Sequence, residues 1–193
     1  MKYELTDETI DVSGTTLHRI KALKDFGNVK KGELGGYVES EYNLSQIGNC
    51  WVYGNARVCG DAELCGNAKV CGNARVCGNA EVCGNAWVYG NAEVCGNAKV
   101  YGNAWVYGNA ELCGNARVYG NADYITIKGL GSRYRDTTIF KTRNEDVVVR
   151  CGCFYGTLTE FVNEVGITHG DSKYAKEYLA LVELAKIHFG IEK

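Results

Sequence analysis

The middle of the chain alternates between apolar and polar positions in a unit of six residues. Glycine followed by asparagine or aspartate recurs thirteen times from Gly48 to Gly120, and alanine follows each pair from Ala56 to Ala122. The unit reads G-N-A-x-V-C or G-N-A-x-V-Y, with leucine replacing valine twice. Successive side chains of a strand point to opposite faces, so alanine and valine share one face. The variable residue shares the other face with cysteine or tyrosine.

Alanine and valine are expected to form the inner face. A column of tryptophan, lysine, arginine and glutamate cannot fill a narrow dry core. The Gly-Asn pairs then make the corners, because both residue types tolerate left-handed backbone geometry. Three sides of six residues close one coil, so stacked neighbours should lie eighteen residues apart. All three tryptophans of the chain obey this spacing.

Folding the sequence at this period produces three outward sides of different character. The first side is aromatic with one cation, and the other two carry charges of both signs. The first comprises Trp51, Lys69, Trp87 and Trp105 beside Tyr53, Cys71, Tyr89 and Tyr107. The second comprises Arg57, Arg75, Glu93 and Glu111 beside Cys59, Cys77, Cys95 and Cys113. The third comprises Glu63, Glu81, Lys99 and Arg117 beside Cys65, Cys83, Tyr101 and Tyr119. The pattern predicts a mainly β protein with a three-sided parallel β-helix over residues 44–123.

The flanking segments predict two small end domains. Residues 1–43 read as an N-terminal β cap, with a hairpin turn at Ser13-Gly14. Residues 124–193 read as an α+β module, in which TTIFKT and DVVVRCGCF form paired strands. Thr157 to Glu160 has the spacing of a capping box that opens a short helix. A longer helix is expected between Ser172 and Gly190, with one apolar stripe of Tyr178, Leu179, Val182, Ala185 and Phe189.

Composition narrows the functional classes. The net charge is −2, so neither nucleic acid nor an anionic membrane is an expected partner. No apolar run is long enough to span a membrane and no signal peptide is evident, so a cytoplasmic location in a bacterial host cell is expected. Seven of the ten cysteines belong to the repeat and are expected to be free thiols. We expect no metal, because a straight row of thiols does not converge on an ion. We also expect no cofactor.

The repeat resembles that of left-handed β-helix hexapeptide-repeat proteins, an architecture shared by many acyltransferases. The segment from LHRIKALKDF to GNCWVYGNARV is similar to the start of hexapeptide-repeat proteins of bacteria and their prophages. The tail from CGCFYGTLTEF to LAKIHF is similar to a small domain in proteins of gut Firmicutes and their phages. The resemblance implies the architecture and a left-handed coil, and it carries no activity with it.

Candidate catalytic residues are sparse. Hexapeptide acyltransferases place a catalytic histidine beside the coils, whereas here His18, His169 and His188 all lie in the flanking segments. The sequence therefore predicts no catalytic residue, disfavours an acyltransferase and predicts that the protein is not an enzyme. The alternative is an enzyme of unknown type in the C-terminal module. Its site would lie near Cys151 and Cys153, on one strand face, and near His169.

The aromatic side predicts a ligand or interface surface. Trp51, Tyr53, Trp87, Tyr89, Trp105 and Tyr107 would form an outward patch beside Lys69, larger than a soluble monomer normally leaves exposed. The charged columns lie on the second and third sides. In a two-fold dimer each column would face an antiparallel copy of itself with opposite charges in register, and in a three-fold trimer the second-side column would match the third-side column of a neighbour. We expect a homodimer or homotrimer that acts as a non-catalytic binding or scaffold protein. One form would be a phage counter-defence factor that sequesters a signal nucleotide or inhibits a host protein. A structural assembly protein is the third alternative.

Overall fold

The computed structural model describes residues 1–191 and consists of two compact units. The first comprises Met1–Asn115 and Tyr119–Asn121, and the second comprises Ala116–Val118 and Ala122–Lys193. The first unit contains most of the β-helix, which confirms the architecture predicted from the repeat. The left-handed sense of the coil stays a prediction.

Three strands precede the coils. They are β1 (Tyr3–Val12), β2 (Thr15–Ala22) and β3 (Leu34–Val38). The antiparallel pairing of β1 with β2 around Ser13-Gly14 confirms the predicted hairpin. Strand β3 is antiparallel to β2 and parallel to the first coil strand of its side, so it joins the end segment to the β-helix in one sheet.

The coils contain twelve strands of two residues each. They are β4 (Trp51–Val52), β5 (Arg57–Val58), β6 (Glu63–Leu64), β7 (Lys69–Val70), β8 (Arg75–Val76), β9 (Glu81–Val82), β10 (Trp87–Val88), β11 (Glu93–Val94), β12 (Lys99–Val100), β13 (Trp105–Val106), β14 (Glu111–Leu112) and β15 (Arg117–Val118). One side runs β4-β7-β10-β13, the next β3-β5-β8-β11-β14 and the third β6-β9-β12. Paired residues are eighteen apart, as Trp87 with Trp105 and Arg75 with Glu93.

The inner face of the coils is dry. Every repeat alanine from Ala56 to Ala116 and every repeat valine is fully buried, which confirms the predicted orientation. Each coil stacks on the next through backbone hydrogen bonds, for example from Trp87 N to Ala104 O at 2.9 Å. The buried apolar columns and these bonds together stabilise the stack.

Glycine and asparagine have different structural roles at the corners. Glycine takes the left-handed conformation, with φ of 72° at Gly84 and similar values at the other corners from Gly48 to Gly114, whereas no corner asparagine within residues 1–191 does. The Gly-Asn pairs therefore make the corners as predicted, and among the described corner residues glycine alone takes the left-handed conformation. The asparagine side chains instead form ladders, as where Asn67 donates to Asn85 at 2.9 Å and Asn85 donates to Asn103 at 3.0 Å. A side-chain amide can donate upward and accept from below, so the ladder can continue through successive coils.

The second unit contains an antiparallel sheet and two helices. The strands are β16 (Tyr124–Leu130), β17 (Arg135–Lys141), β18 (Val147–Cys151) and β19 (Phe154–Thr157), paired in chain order. Pairing of β17 with β18 confirms the predicted hairpin. The paired strands predicted for this unit did not include β16. It is a strand because Ile125 and Ile127 pack against the apolar core of this unit.

Helix α1 (Leu158–His169) and helix α2 (Lys173–Phe189) complete the second unit. The capping box of Thr157 and Glu160 opens α1, and Ser172 caps α2, as predicted. The buried face of α2 contains Tyr178, Leu181, Val182 and Ala185. Leu179, which we predicted on the stripe, is 40% exposed, because the contact face of the helix is centred on Leu181 instead.

Candidate functional site

A pocket of about 410 Å³ opens in the second unit. Strands β17 to β19 and both helices contribute its walls. Phe154, Phe161 and Val165 give it an apolar lining, and Phe161 and Val165 are almost fully buried. The polar groups around it are Ser132, Arg133, Arg135, Cys151, Cys153, Glu164, Thr168, His169 and Tyr178. An apolar pocket with a few convergent polar groups is the usual form of a small-molecule site.

The Cys151 thiol is half-buried at the end of β18. The Thr137 hydroxyl donates a hydrogen bond to its sulfur at 3.2 Å, and the thiol donates to the Tyr178 hydroxyl at 3.7 Å. Thr137 is opposite Cys151 in the register of β17 with β18. The sheet and α2 therefore hold the sulfur from two sides and fix its position in the pocket.

Tyr178 contacts both the Cys151 thiol and the ring of His169. Its hydroxyl donates to the Leu130 carbonyl at 3.3 Å, and its ring centroid lies 5.6 Å from that of His169. Burial raises the pKa of Tyr178, and the hydrogen bond with Cys151 raises that pKa further. The phenol is therefore a neutral hydrogen-bond donor and acceptor at neutral pH.

Two glycines let the backbone approach the polar groups of the pocket. Gly131 has a φ of 70° and contacts the Tyr178 hydroxyl so closely that a Cβ would overlap it. Gly152 has a φ of 60°, and a Cβ there would overlap the Arg135 guanidinium. Arg135 thus packs beside the turn that follows Cys151. An arginine at this place can hold an anionic group of a ligand.

The structure brings together Cys151, Cys153 and His169, which the sequence singled out as the alternative site. One detail of that prediction is wrong. Cys151 ends β18, while Cys153 is exposed in the turn before β19, so the two thiols do not share a strand face. Sequence analysis did not identify Arg135 as a site residue, because it belongs to no recognisable motif. It placed Tyr178 only on the apolar stripe of the longer helix.

The aromatic side of the β-helix is shorter than predicted. Trp51 is fully buried, with its ring 5.3 Å from that of Phe26 and 6.1 Å from that of Tyr3. The residues before the coils cover this rung, so Trp51 is not part of an outward patch. Tyr53, in the same rung, is half-buried.

The upper rungs of that side form an exposed aromatic face. The Trp87 and Trp105 rings stack with centroids 5.5 Å apart, and so do the Tyr89 and Tyr107 rings. Lys69 Nζ lies 4.6 Å from the Trp87 ring centroid. Trp105 is 46% exposed and Tyr107 is 49% exposed. We call Trp87, Tyr89, Trp105 and Tyr107 the aromatic face.

The charged columns form ion pairs along the stack. Arg75 contacts Glu93 at 3.2 Å, and Lys99 contacts Glu81 at 2.5 Å. Each pair joins neighbouring rungs of one column. The other members are Arg57, Glu111, Glu63 and Arg117. The middle rungs thus find opposite charges within the chain, which weakens the case for these columns as a subunit interface.

Two further observations concern ligands and membranes. Within residues 1–191, no group of three or more histidine, cysteine, aspartate or glutamate side chains is arranged to hold a metal ion. Neither helix in this range has the length and apolar character that a membrane crossing demands.

Comparison with known proteins gives one partial match. No protein-family model matches the chain. A stretch of 60 residues is 38% identical to the Escherichia coli K12 protein named uncharacterized acetyltransferase YdcK. The match covers 27% of this chain and 18% of that protein. The chain is therefore similar to a limited part of a protein named as an acetyltransferase.

This match corrects the expectation that the chain is not an enzyme. That expectation, together with the case against a hexapeptide acyltransferase, depended on the histidine-free coils. It is contradicted by a relative whose name places it among acetyltransferases. The physical reason is that a general base need not be supplied by the coils. His169 and Cys151 line one pocket of the second unit, which the coil sequence could not reveal.

Proposed function

We propose that this protein is an acyltransferase whose reaction takes place in the pocket of the second unit. The observation that carries the proposal is the placement of Cys151, Tyr178 and His169 around one pocket. A thiol is the strongest neutral-pH nucleophile among side chains, and an imidazole is the commonest general base. The partial similarity to an acetyltransferase supports the class of reaction.

The proposed reaction has two steps. Cys151 gives its proton to His169, and its sulfur attacks the carbonyl carbon of an acyl thioester. The carbon–sulfur bond of the donor breaks, and the donor thiol leaves with the proton from His169. An amine or hydroxyl of the acceptor then attacks the acyl-Cys151 thioester, loses its proton to His169 and restores the thiol.

The remaining pocket groups have roles in this scheme. Thr137 and Tyr178 hold the sulfur through their hydrogen bonds. The Arg135 guanidinium, packed against Gly152, would bind an anionic group of the donor or acceptor. Phe154 and Phe161, with ring centroids 5.1 Å apart, would cover the acyl chain and exclude water.

Intact-mass measurement after incubation with an acetyl thioester tests the proposal. The wild-type protein should gain one acetyl group, located on Cys151 by peptide mapping. Cys151→Ser should gain none at that position. Cys71→Ser, a change in the β-helix, is the control and should be acetylated like the wild type. Acetylation of Cys153 instead, or no acetylation of the folded wild type by any thioester tried, would contradict the assignment.

We also propose that the chain self-associates through the aromatic face. Trp105 and Tyr107 leave about half of their side chains exposed, and exposed aromatic surface of this kind favours a protein interface. A homodimer and a homotrimer both remain proposals. Native mass spectrometry of the wild type should give an oligomer. The double variant Trp105→Ser, Tyr107→Ser should dissociate, whereas Tyr42→Ser, at an 87% exposed site before the coils, should not. A wild-type monomer would contradict the proposal.

A counter-defence role in a bacterial cytoplasm is a further proposal, and it depends on the resemblance to prophage proteins. Its nucleotide form is supported by Lys69 beside the Trp87 ring, a cation near an aromatic surface on which a base could stack. A signal nucleotide should then raise the melting temperature of the wild type more than that of Lys69→Ala. If no nucleotide changes the melting temperature, this form is wrong, and capture of a host protein partner remains to be tested.

A further inference from the structure

Four cysteines form a continuous row on the second side of the β-helix. Cys59, Cys77, Cys95 and Cys113 each follow a two-residue strand, in the order β5, β8, β11 and β14. Those strands are adjacent in one parallel sheet, with Val58 opposite Val76 and Val76 opposite Val94. We call these four residues the cysteine row. All four are half-buried.

The backbone holds neighbouring members of the row in register. Cys59 N donates to Val76 O at 3.0 Å, Cys77 N to Val94 O at 2.9 Å and Cys95 N to Leu112 O at 2.8 Å. Cys59, Cys77 and Cys95 occupy the same position in three successive coils. Cys77 therefore has one cysteine in the coil before it and another in the coil after it, both in register.

A neighbouring side of the same β-helix shows that this register suits a disulfide. Cys65 and Cys83 are eighteen residues apart, stack in the same way and are joined by a disulfide with their Cα atoms 4.7 Å apart. That bond contradicts the expectation that all the repeat cysteines are free thiols. Cα separations of about 4.4 to 6.8 Å suit a disulfide, so a rung spacing of this size needs no backbone movement.

We propose that the cysteine row is an oxidation site, in which Cys77 reacts with a hydroperoxide and then forms a disulfide with Cys59 or Cys95. The sulfur of Cys77 attacks one peroxide oxygen, the oxygen–oxygen bond breaks, and the products are a sulfenic acid and water or an alcohol. The neighbouring thiol then attacks the sulfenic sulfur, a disulfide forms and water leaves. Two thiols lose two electrons, and the hydroperoxide is reduced.

Electrostatics favours Cys77 as the first residue to react. The neighbouring thiols of Cys59 and Cys95 lower the pKa of Cys77, and the Arg75 guanidinium lowers it further, while burial opposes both effects. The thiolate is the reactive form of cysteine, so a lowered pKa increases the reactive fraction at neutral pH. Cys59 and Cys95 are also the two residues that the register places to form the disulfide with Cys77.

Cys71 is the internal control. It is half-buried like Cys77, but the residues stacked at its position are Tyr53 and Tyr89. Burial raises the pKa of Cys71, whereas the pKa of Cys77 is lowered, so the two half-buried thiols differ in the direction of their pKa shifts. We expect iodoacetamide at neutral pH to alkylate Cys77 at least ~10-fold faster than Cys71. Equal rates would overturn the assignment of Cys77.

Peptide mapping after peroxide treatment tests disulfide formation. Combined cleavage after lysine, arginine and glutamate puts every repeat cysteine in its own peptide, with Cys77 in 76–81, Cys59 in 58–63 and Cys95 in 94–99. Free thiols are alkylated before the unreduced protein is unfolded and digested. The expected product links 76–81 to 58–63 or to 94–99. Peptides 64–69 and 82–93, which carry Cys65 and Cys83, provide the reference linkage.

Two variants separate the roles within the row. Cys59→Ser with Cys95→Ser removes both partner thiols, so a sulfenic-acid trap should label Cys77 and no linked peptide should form. Cys71→Ser should leave the linkage unchanged. Peroxide treatment that yields no linkage in the wild type, or a linkage that persists without Cys59 and Cys95, would overturn the proposal.

Discussion

The thiol of Cys151 and the hydroxyl of Tyr178 form a hydrogen bond of 3.7 Å across the pocket of the second unit. The two residues are 27 positions apart and belong to β18 and α2. Their contact joins the sheet to α2. His169, the last residue of α1, packs its ring against Tyr178. The pocket and its chemistry therefore depend on how α2 packs on the sheet.

Removal of the Tyr178 hydroxyl should weaken this junction. Tyr178→Phe keeps the ring but leaves the Cys151 thiol and the Leu130 carbonyl without this partner, at a cost of about 1–2 kcal/mol. Urea unfolding followed by the helical circular dichroism signal measures this, since both α-helices of the described chain belong to the second unit. Tyr134→Phe, at a 69% exposed position, is the control and should change little. An unchanged midpoint for Tyr178→Phe would contradict a structural role for the bond.

A side chain at a corner glycine should destabilise the coils. Gly84 has a φ of 72°, and a Cβ there would lie 3.0 Å from the carbonyl oxygen of Gly102 in the next coil. Gly84→Ala should cost at least ~1–2 kcal/mol, because left-handed backbone is unfavourable for residues with a Cβ. Thermal unfolding monitored by β-sheet circular dichroism checks the change.

A glycine-to-alanine substitution in α1 should stabilise the protein, whereas the one at the corner should destabilise it. Gly166 is helical, and a Cβ there would have no atom within 4 Å. Gly166→Ala should stabilise the second unit by about 0.5–1 kcal/mol, because alanine loses less entropy than glycine in a helix. If both alanine variants changed stability in the same direction, the corner geometry would not be the cause.

An asparagine ladder on the third side can be extended by one residue. Asn79 donates to Asn97 at 3.0 Å, but the position eighteen residues before Asn79 is Asp61, a carboxylate that cannot donate at neutral pH. Asp61→Asn should add one rung and raise stability by up to ~1 kcal/mol. Asn85→Ala removes two rungs elsewhere and should lower stability. Chemical denaturation of both variants against the wild type measures the two changes.

Acid should weaken the N-terminal strands through Glu8. Arg19 donates to this carboxylate at 2.8 Å and Tyr37 donates at 3.0 Å, and these bonds hold the pKa of Glu8 below its usual 4.5. A carboxyl whose pKa is lower when folded stabilises the fold above its unfolded pKa, and this contribution is lost as the pH falls through the folded pKa. Glu8→Gln should therefore lose less stability than the wild type below pH 4.5. Asp7→Asn, at the exposed neighbouring position, should follow the wild-type curve.

The sequence by itself determined the β-helix, because its period is repeated in every column. A spacing of eighteen fixes which residues stack, and the alternation of alanine and valine with polar residues fixes which face is buried. The hairpin at Ser13-Gly14 and the caps of α1 and α2 were also predictable, since turns and caps are local. Local chemistry and simple repetition need no knowledge of long-range packing.

Tertiary structure alone decided which of these residues are exposed and which meet in a site. Trp51 has the same place in the repeat as Trp105, yet it is fully buried because Tyr3 and Phe26 pack on its ring. Arg135, Cys151 and Tyr178 come from separate elements with no shared motif, and they line one pocket only after α2 packs on the sheet. Such contacts depend on the shapes of whole elements, and a single sequence does not record them.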